Sequence, residues 1–502
     1  MKINVLDYLE DAVKECPEKR AVADENEAFS YSELRDNARR IGTYVAEHKK
    51  VPNGAVAVLI GRNARSVVTF LGCTYAGCFY VPIDSDFPEE RLKMMVSDAA
   101  PELIINASGK EDKLFDSIDY EEIIKTTADD ELLYELKSSH IDIDPLYAIF
   151  TSGSTGKPKC VLISHRSVID LVEQFTETFQ FSGELVFGNQ APFDFDVSVK
   201  DIYNSLKNKA TVEIVPKKMF MMPKKLVEYI ENKGINTLIW AVSALRIVAD
   251  FKTLDNHRIE SLKYVMFSGE KMPVKTLNYL MDNIPSARFV NLYGPTEITC
   301  NCTYYEIKER FKDDELLPIG KAFKNTQVML VDEDGKIISE EGREGEICVS
   351  GTCLALGYLS DREKTDEKFI QSPVTDRFAR LIYKTGDIGH YNSKHEIVFT
   401  SRRDYQIKHM GHRIELEGIE TVINAIEDVD YGCCVYDEKN SLVYLFYQGK
   451  EKSPKEFAEE LKKKLPKYMW PNRYVYIDKL PLNKNGKVDR KLLRENYIEK
   501  ND

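Results

Sequence analysis

The stretch IFTSGSTGKPKC at 149–160 sets Thr151, Ser152, Gly153, Ser154, Thr155 and Gly156 in succession, followed by Lys157 and Lys159. Such a loop exposes backbone N–H groups, offers hydroxyl donors and adds two cations. Those are the groups that cradle a polyphosphate. Taken alone, a Ser/Gly/Thr run also describes a surface loop. A Walker A loop would need Gly at 151 and Ser or Thr at 158, where Thr151 and Pro158 stand. A nucleophile elbow centred on Ser154 would need Gly at 152. The chain has no GxG, so a dinucleotide fingerprint is missing.

Upstream of this loop, helical periodicity alternates with short apolar runs. FSYSELRDNARRIGTYVAE reads as a strand and an amphipathic helix, AVAVLIG as a buried strand, SVVTFLGCTYAG as an apolar helix and CFYVPID as a further strand. LVEYIENKGINTLIWAV is a helix, a Gly stop and a strand. Alternation of this kind predicts an α/β fold with largely parallel sheets. After about residue 320 the rhythm changes to an antiparallel meander, QVMLVDEDGKIISEEGREGEICVSG. Further on, ELEGIETVINAIEDV and SPKEFAEELKKKLPKYMWP read as helices and LVYLFYQG as a strand. Residues 405–502 carry a net charge of +1 and the rest −14, an asymmetry that supports a separate C-terminal domain.

The 502 residues are 43% apolar and 30% charged, with a net charge of −13. That is ordinary for a globular protein with a large core. The acidic balance would repel a phosphate backbone and argues against nucleic-acid binding. The longest apolar runs fall far short of the ~20 residues that span a bilayer, so no membrane insertion is expected. The N-terminal MKINVLDYLEDAVKE reads as an amphipathic helix instead of a secretory signal. The ten cysteines form no CxxC and the eight histidines no HExxH, so reduced thiols in a cytoplasmic protein are expected, with no structural metal.

Further motifs accompany the loop: YVPID at 80–84 before it, and after it NLYGPTE at 291–297, GEICVSGTCLALGY at 345–358, YKTGD at 383–387, SRRDYQIKHMGHRIELEGIE at 401–420 and NGKVDR at 485–490. With the loop, in this order and over essentially the whole chain, they resemble the adenylate-forming superfamily: acyl-CoA synthetases, luciferases and amino-acid adenylation domains. The last two motifs and FDFDVSVKD at 193–201 are most similar to amino-acid adenylation domains. Chain length and the phrase QAPFDFDVSV resemble, within those, the stand-alone D-alanine–carrier-protein ligases. Two departures stand out: Cys160 where the loop usually ends in Gly, and Ser401-Arg402 where GR is usual.

The resemblance implies an ATP- and Mg²⁺-dependent ligase that makes an aminoacyl-adenylate and passes the acyl group to the phosphopantetheine thiol of a separate carrier protein. It implies an N-terminal AMP-binding domain of α/β subdomains and a small β-barrel-like subdomain over 1–403. A small mobile α+β domain over 404–502, hinged at Asp404, would carry the catalytic Lys487. ATP would be held by Thr151 to Lys157, by Asn291, Leu292, Tyr293, Gly294, Pro295 and Thr296, by Asp387, Phe399 and Arg402, and by Lys487. In that set Asp387 takes the ribose hydroxyls, Tyr293 stacks on adenine, Asn291 reads its edge, and Glu297 takes the metal ion.

Asp196 matches the Asp that pairs with an amino-acid α-ammonium, which counts against a CoA ligase on a small acid. Val197, Lys200, Ala241, Met266, Ser268, Leu292, Cys300 and Asn301 would line the pocket. Met266 and Leu292 suit a small substrate, with D-alanine first and another small or polar amino acid second. Lys200 departs from the D-alanine pattern: it either snorkels to solvent or meets an acidic or polar side chain. A degenerate binding protein is disfavoured because the charged catalytic positions are all present.

Overall fold

Ser30, Asn63 and Ser164 each stand just ahead of an apolar-periodic segment, and each becomes a helix cap. In the computed structural model, which describes residues 2–153, 157–255, 257, 259–312, 315–403, 405–482 and 488–499, Ser30 opens helix Tyr31–His48 with a capping box to Glu33. Asn63 caps Ala64–Tyr75 through the Ser66 N–H, and Ser164 caps His165–Phe179 through the Ser167 N–H. Such caps satisfy N–H groups that the first helical turn leaves unbonded.

The chain divides into two compact units. The first comprises 1–85, 96–149 and 160–403. Its nine-stranded sheet runs, edge to edge, Lys321–Ala322, Thr303–Ile307, Arg288–Tyr293, Tyr264–Ser268, Thr237–Ala241, Val186–Asn189, Thr211–Ile214, Arg20–Ala23 and Ala28–Ser30. The inner strands are parallel and the outer pairs antiparallel. Strands Thr237–Ala241 and Tyr264–Ser268 are buried at every position, as expected of a parallel sheet covered on both faces. Trp240 is fully buried and donates its indole N–H to the Gly188 carbonyl at 2.6 Å.

In a second sheet Ala55–Ile60 runs parallel to Phe79–Asp84 on one side and to Leu103–Asn106 on the other. The meander after 320 forms a third sheet, antiparallel, in which Leu381–Tyr391 pairs with Gly345–Gly351, Phe369–Gln371 and Ile397–Arg402. Phe369–Gln371 takes its N-terminal part and Ile397–Arg402 its C-terminal part.

The second unit comprises 86–95, 150–159 and 404–502. It holds a hairpin, Gln406–His409 with His412–Glu415, and a three-stranded sheet of Val429–Asp437, Leu442–Gly449 and Arg473–Tyr476. Helices Leu416–Ile423, Pro454–Lys464 and Arg490–Tyr497 accompany them. The first stops short of the expected ELEGIETVINAIEDV because Asn424 Oδ1 accepts the Gly432 N–H at 2.6 Å. Trp470 is half-buried here, its indole N–H on the Leu465 carbonyl at 3.0 Å. Among the described residues, no helix is long and apolar enough to cross a membrane.

Candidate active site

Asp387 and Arg402 are direct cross-strand partners on Leu381–Tyr391 and Ile397–Arg402. The Arg402 guanidinium donates to Asp387 Oδ1 and, at 3.1 Å, to the Thr385 carbonyl. Tyr293, the last residue of Arg288–Tyr293, donates its hydroxyl to Asp387 Oδ2 at 2.5 Å. Burial first, and then the Asp387 charge, hold the Tyr293 phenol well above its ordinary range. Both carboxylate oxygens are thus engaged in a buried setting, and each retains a second lone pair for a hydroxyl donor.

The turn before Asp387 is fixed by Gly386, at φ +76°, whose N–H is held by Glu346 Oε1 at 3.0 Å. Glu346 is itself buried and faces Arg403 at 3.4 Å and Lys384 at 3.6 Å. The sequence pattern had not pointed to Glu346. Phe399 lies half-buried on Ile397–Arg402 with the Lys271 ammonium 5.3 Å from its ring centre. Asn291 is buried and its amide N–H₂ donates to the Pro318 carbonyl at 2.8 Å, which holds the side chain in place.

Past Tyr293 the chain turns sharply. A Cβ on Gly294 would sit 2.6 Å from the Cys300 carbonyl oxygen and 2.7 Å from Asn301 Cα, so the return stroke requires glycine there. Pro295 precedes the short helical turn Thr296–Ile298. Thr299 and Cys300 then take φ of +57° and +72°. Left-handed backbone at two non-glycine residues costs roughly 1–3 kcal/mol each, and the surroundings must hold it. Thr299 Oγ1 on the Cys353 carbonyl at 2.8 Å is part of that hold.

Glu297 sits fully buried on this turn and accepts the Tyr358 hydroxyl at 2.9 Å. Tyr358 closes the motif GEICVSGTCLALGY, a signal whose function the sequence had not specified. Among the described residues no group of three or more His, Cys, Asp or Glu is gathered for a metal. One carboxylate fits a Mg²⁺ ion that arrives with phosphate ligands, and does not make a closed resident site.

Ala241, Ser268 and Leu292 stand in one row across three parallel strands, with Met266 two residues back and fully buried. Asp196 precedes helix Val197–Asn208, and its carbonyl accepts from Cys300 Sγ at 2.8 Å. Val197, the first helical residue, is partly exposed. Lys200 does not snorkel: it is 0% exposed. Its ammonium donates to Asn301 Oδ1 at 2.8 Å and to Ser268 Oγ at 3.4 Å, partners on the strand row and on the turn. Snorkelling fails because the helix face carrying Lys200 packs inward, one turn past Asp196.

In the second unit, a Cβ on Gly153 would lie 1.9 Å from the Lys157 carbonyl oxygen, so the loop closes on glycine. Thr151 Oγ1 donates to the Lys159 carbonyl at 3.4 Å. Ser152 Oγ donates to the Arg413 carbonyl at 2.8 Å and accepts the Glu415 N–H at 3.1 Å. Lys159 pairs with Glu415 at 3.2 Å, and Gln406 donates to the same carboxylate oxygen at 2.6 Å. Glu415 is a further polar group that the sequence reading passed over, although it lies inside the 401–420 motif. Lys157 is exposed. Cys160, where the first unit resumes, is buried on strand Lys159–Ser164, and burial pushes its thiol up. Ser154, Thr155, Gly156, Asp404 and Lys487 lie outside the described residues.

The sequence pattern of the AMP-binding enzyme family matches residues 9–359. Bacitracin synthase 1 of Bacillus licheniformis is 31% identical over 494 residues, 97% of this chain but only 9% of that much longer protein. The D-alanine--D-alanyl carrier protein ligase of Staphylococcus haemolyticus is 32% identical over 503 residues, 98% of this chain and 99% of its own length. Among solved structures, holo-PA1221, a nonribosomal peptide synthetase protein with adenylation and peptidyl-carrier domains, superposes with a TM-score of 0.85 at 24% identity. That likeness covers 98% of this chain and 84% of that one, and it concerns the fold.

Proposed function

The chain belongs to the AMP-binding enzyme family of adenylate-forming enzymes, and on that premise we propose that it activates an amino acid with ATP and loads it onto a carrier protein. In the first step the substrate carboxylate attacks the α-phosphorus, pyrophosphate leaves and an aminoacyl-adenylate forms. In the second, a phosphopantetheine thiol attacks the acyl carbon and AMP leaves. Both partners of the first step are anions, so charge neutralisation and alignment are the main tasks.

Asp387 accepts the ribose hydroxyls while Arg402 and Tyr293 hold its carboxylate in place. Loop 151–157 receives the phosphates through its N–H groups, hydroxyls and Lys157. Lys487 bridges the substrate carboxylate and the α-phosphate. Glu297 would hold Mg²⁺, which when bound screens the phosphate charge. The C-terminal residues, pivoting at Asp404, exchange an adenylation pose for a thioester-forming one.

The observation that carries an amino acid over other carboxylic acids is Asp196. It is an anion at the head of a helix whose next turn is buried in the pocket wall, and it is suited to an α-ammonium. The full-length relatives named as D-alanine--D-alanyl carrier protein ligases support D-alanine as the substrate. The buried Lys200 favours a second reading, a stand-alone enzyme for another polar amino acid. Amino-acid-dependent exchange of pyrophosphate into ATP tests the first step. Transfer of the label to a phosphopantetheinylated carrier, with free coenzyme A as the competing acceptor, tests the second. Exchange that responds only to acids lacking an amine would refute the reading.

A further inference from the structure

Lys200 lies four residues beyond Asp196, which places it roughly 6 Å further along the helix axis. An ammonium has three protons, and Asn301 Oδ1 and Ser268 Oγ take two of them. Asn301 Nδ2 is buried with no acceptor. Ser268 Oγ accepts from Lys200 and so keeps its own proton to donate. On these three side chains the groups left over are therefore donors, from helix, strand and turn at once, while Asp201 Oδ1 on the next helical residue is a buried acceptor without a hydrogen-bond partner.

The flanking charges agree. Complete burial pushes the Lys200 pKa down, and Cys300, Asp196 and Asp201 oppose that shift. Asp201 is held away by the Asn189 amide at 2.9 Å, and burial has raised it to about 7. Neither carboxylate is hydrogen-bonded to the Lys200 ammonium in the structure.

We propose that Lys200, Ser268 and Asn301 read the substrate side chain, and that the preferred amino acid carries a side-chain carboxylate one or two methylenes from its α-carbon. A carboxylate is acceptor-only and matches a cluster of surplus donors. A side-chain amide would bring in N–H groups with no acceptor. A methyl would leave every one of these donors unsatisfied, the condition under which polar pockets reject analogues most strongly. Asp196 and Lys200 stand one helical turn apart, a spacing that suits a short side chain such as that of aspartate or glutamate. With such a substrate bound, its ammonium faces Asp196 and its carboxylate faces Lys200.

This inference rests on the amino-acid adenylation reading. The test is pyrophosphate exchange with the full chain, ATP and Mg²⁺, over aspartate, glutamate, asparagine, serine and alanine of both hands. The expected result is an acidic amino acid ahead of alanine by about 100-fold or more in kcat/KM. Lys200→Met should remove that lead, lowering exchange with the acidic substrate at least about 100-fold and with alanine only a few-fold, while ATP still raises the melting temperature. Asn301→Ala gives a second reading if Lys200→Met no longer responds to ATP: the acidic-to-alanine ratio should drop about tenfold. Wild-type preference for alanine, serine or asparagine overturns the proposal and leaves the adenylation reading standing. So does an unchanged ratio in both variants. Exchange with no amino acid at all refutes the underlying reading instead.

Discussion

Strand Arg288–Tyr293 ends by serving two clusters of opposite character. Leu292 joins the row with Ala241 and Ser268 beside Lys200, and Tyr293, one residue on, reaches Asp387. Around Asp387 the polar groups are matched. The carboxylate faces a guanidinium, the guanidinium's second arm has a carbonyl, and the phenol has the carboxylate. Around Lys200 the groups are mismatched, with the Asn301 amide N–H₂ on one side and Asp201 Oδ1 on the other buried without partners. A matched cluster is rigid before any ligand arrives and suits a ligand part that never varies, such as a nucleotide ribose. A mismatched one is completed by its ligand, so it discriminates.

The comparison is open to attack from both sides. The largest effect expected is from Lys487→Ala, which acts on the bond formed between the two ligands. Exchange should fall to background while ATP binding, followed by calorimetry, remains measurable, because the loss is confined to the transition state. Near-normal exchange would remove this lysine from the reaction.

Asp387→Ala breaks the matched cluster by removing the carboxylate that Arg402 and Tyr293 hold. With the acceptor for the ribose hydroxyls gone, kcat/KM for ATP should drop about 100- to 1000-fold. The ranking of amino acids in the exchange assay should not change. A reshuffled ranking would show that the two clusters are not independent.

Asp196→Ala is the converse. KM for the amino acid should rise about 10- to 100-fold, with KM for ATP within a factor of two or so of wild type. Equal damage to both constants would make Asp196 a structural residue. The smallest effect belongs to Tyr293→Phe, which deletes one hydrogen bond from the matched cluster. About 1 kcal/mol of stability should be lost in denaturant melts, with a modest rise in KM for ATP. No change in either would mean that the phenol does not help to hold Asp387.

Legibility in the sequence divides along the same line. The strand and helix rhythm before 320 and the meander after it were readable because each depends on local periodicity and caps. The Asp387 and Arg402 positions were readable as motif members only 15 residues apart. Lys200 was not. Its partners lie 68 and 101 residues away, and nothing local to helix Val197–Asn208 says that this face packs inward on Ser268 and Asn301. Glu346 and Glu415 escaped for the same reason. Their roles are to hold Gly386 and the Ser152–Lys159 segment, contacts that only the folded chain brings about.

The chain has two tryptophans, and they fall one to each compact unit: Trp240, sealed in the first, and Trp470, half-buried in the second. Their emission therefore differs in origin and in wavelength, the sealed indole bluer than the partly wetted one. Replacing Trp240 by Phe leaves a single tryptophan in the second unit, and replacing Trp470 by Phe leaves a single one in the first. Each unit can thus be followed by light alone, without an attached dye, as it unfolds or as its neighbourhood changes.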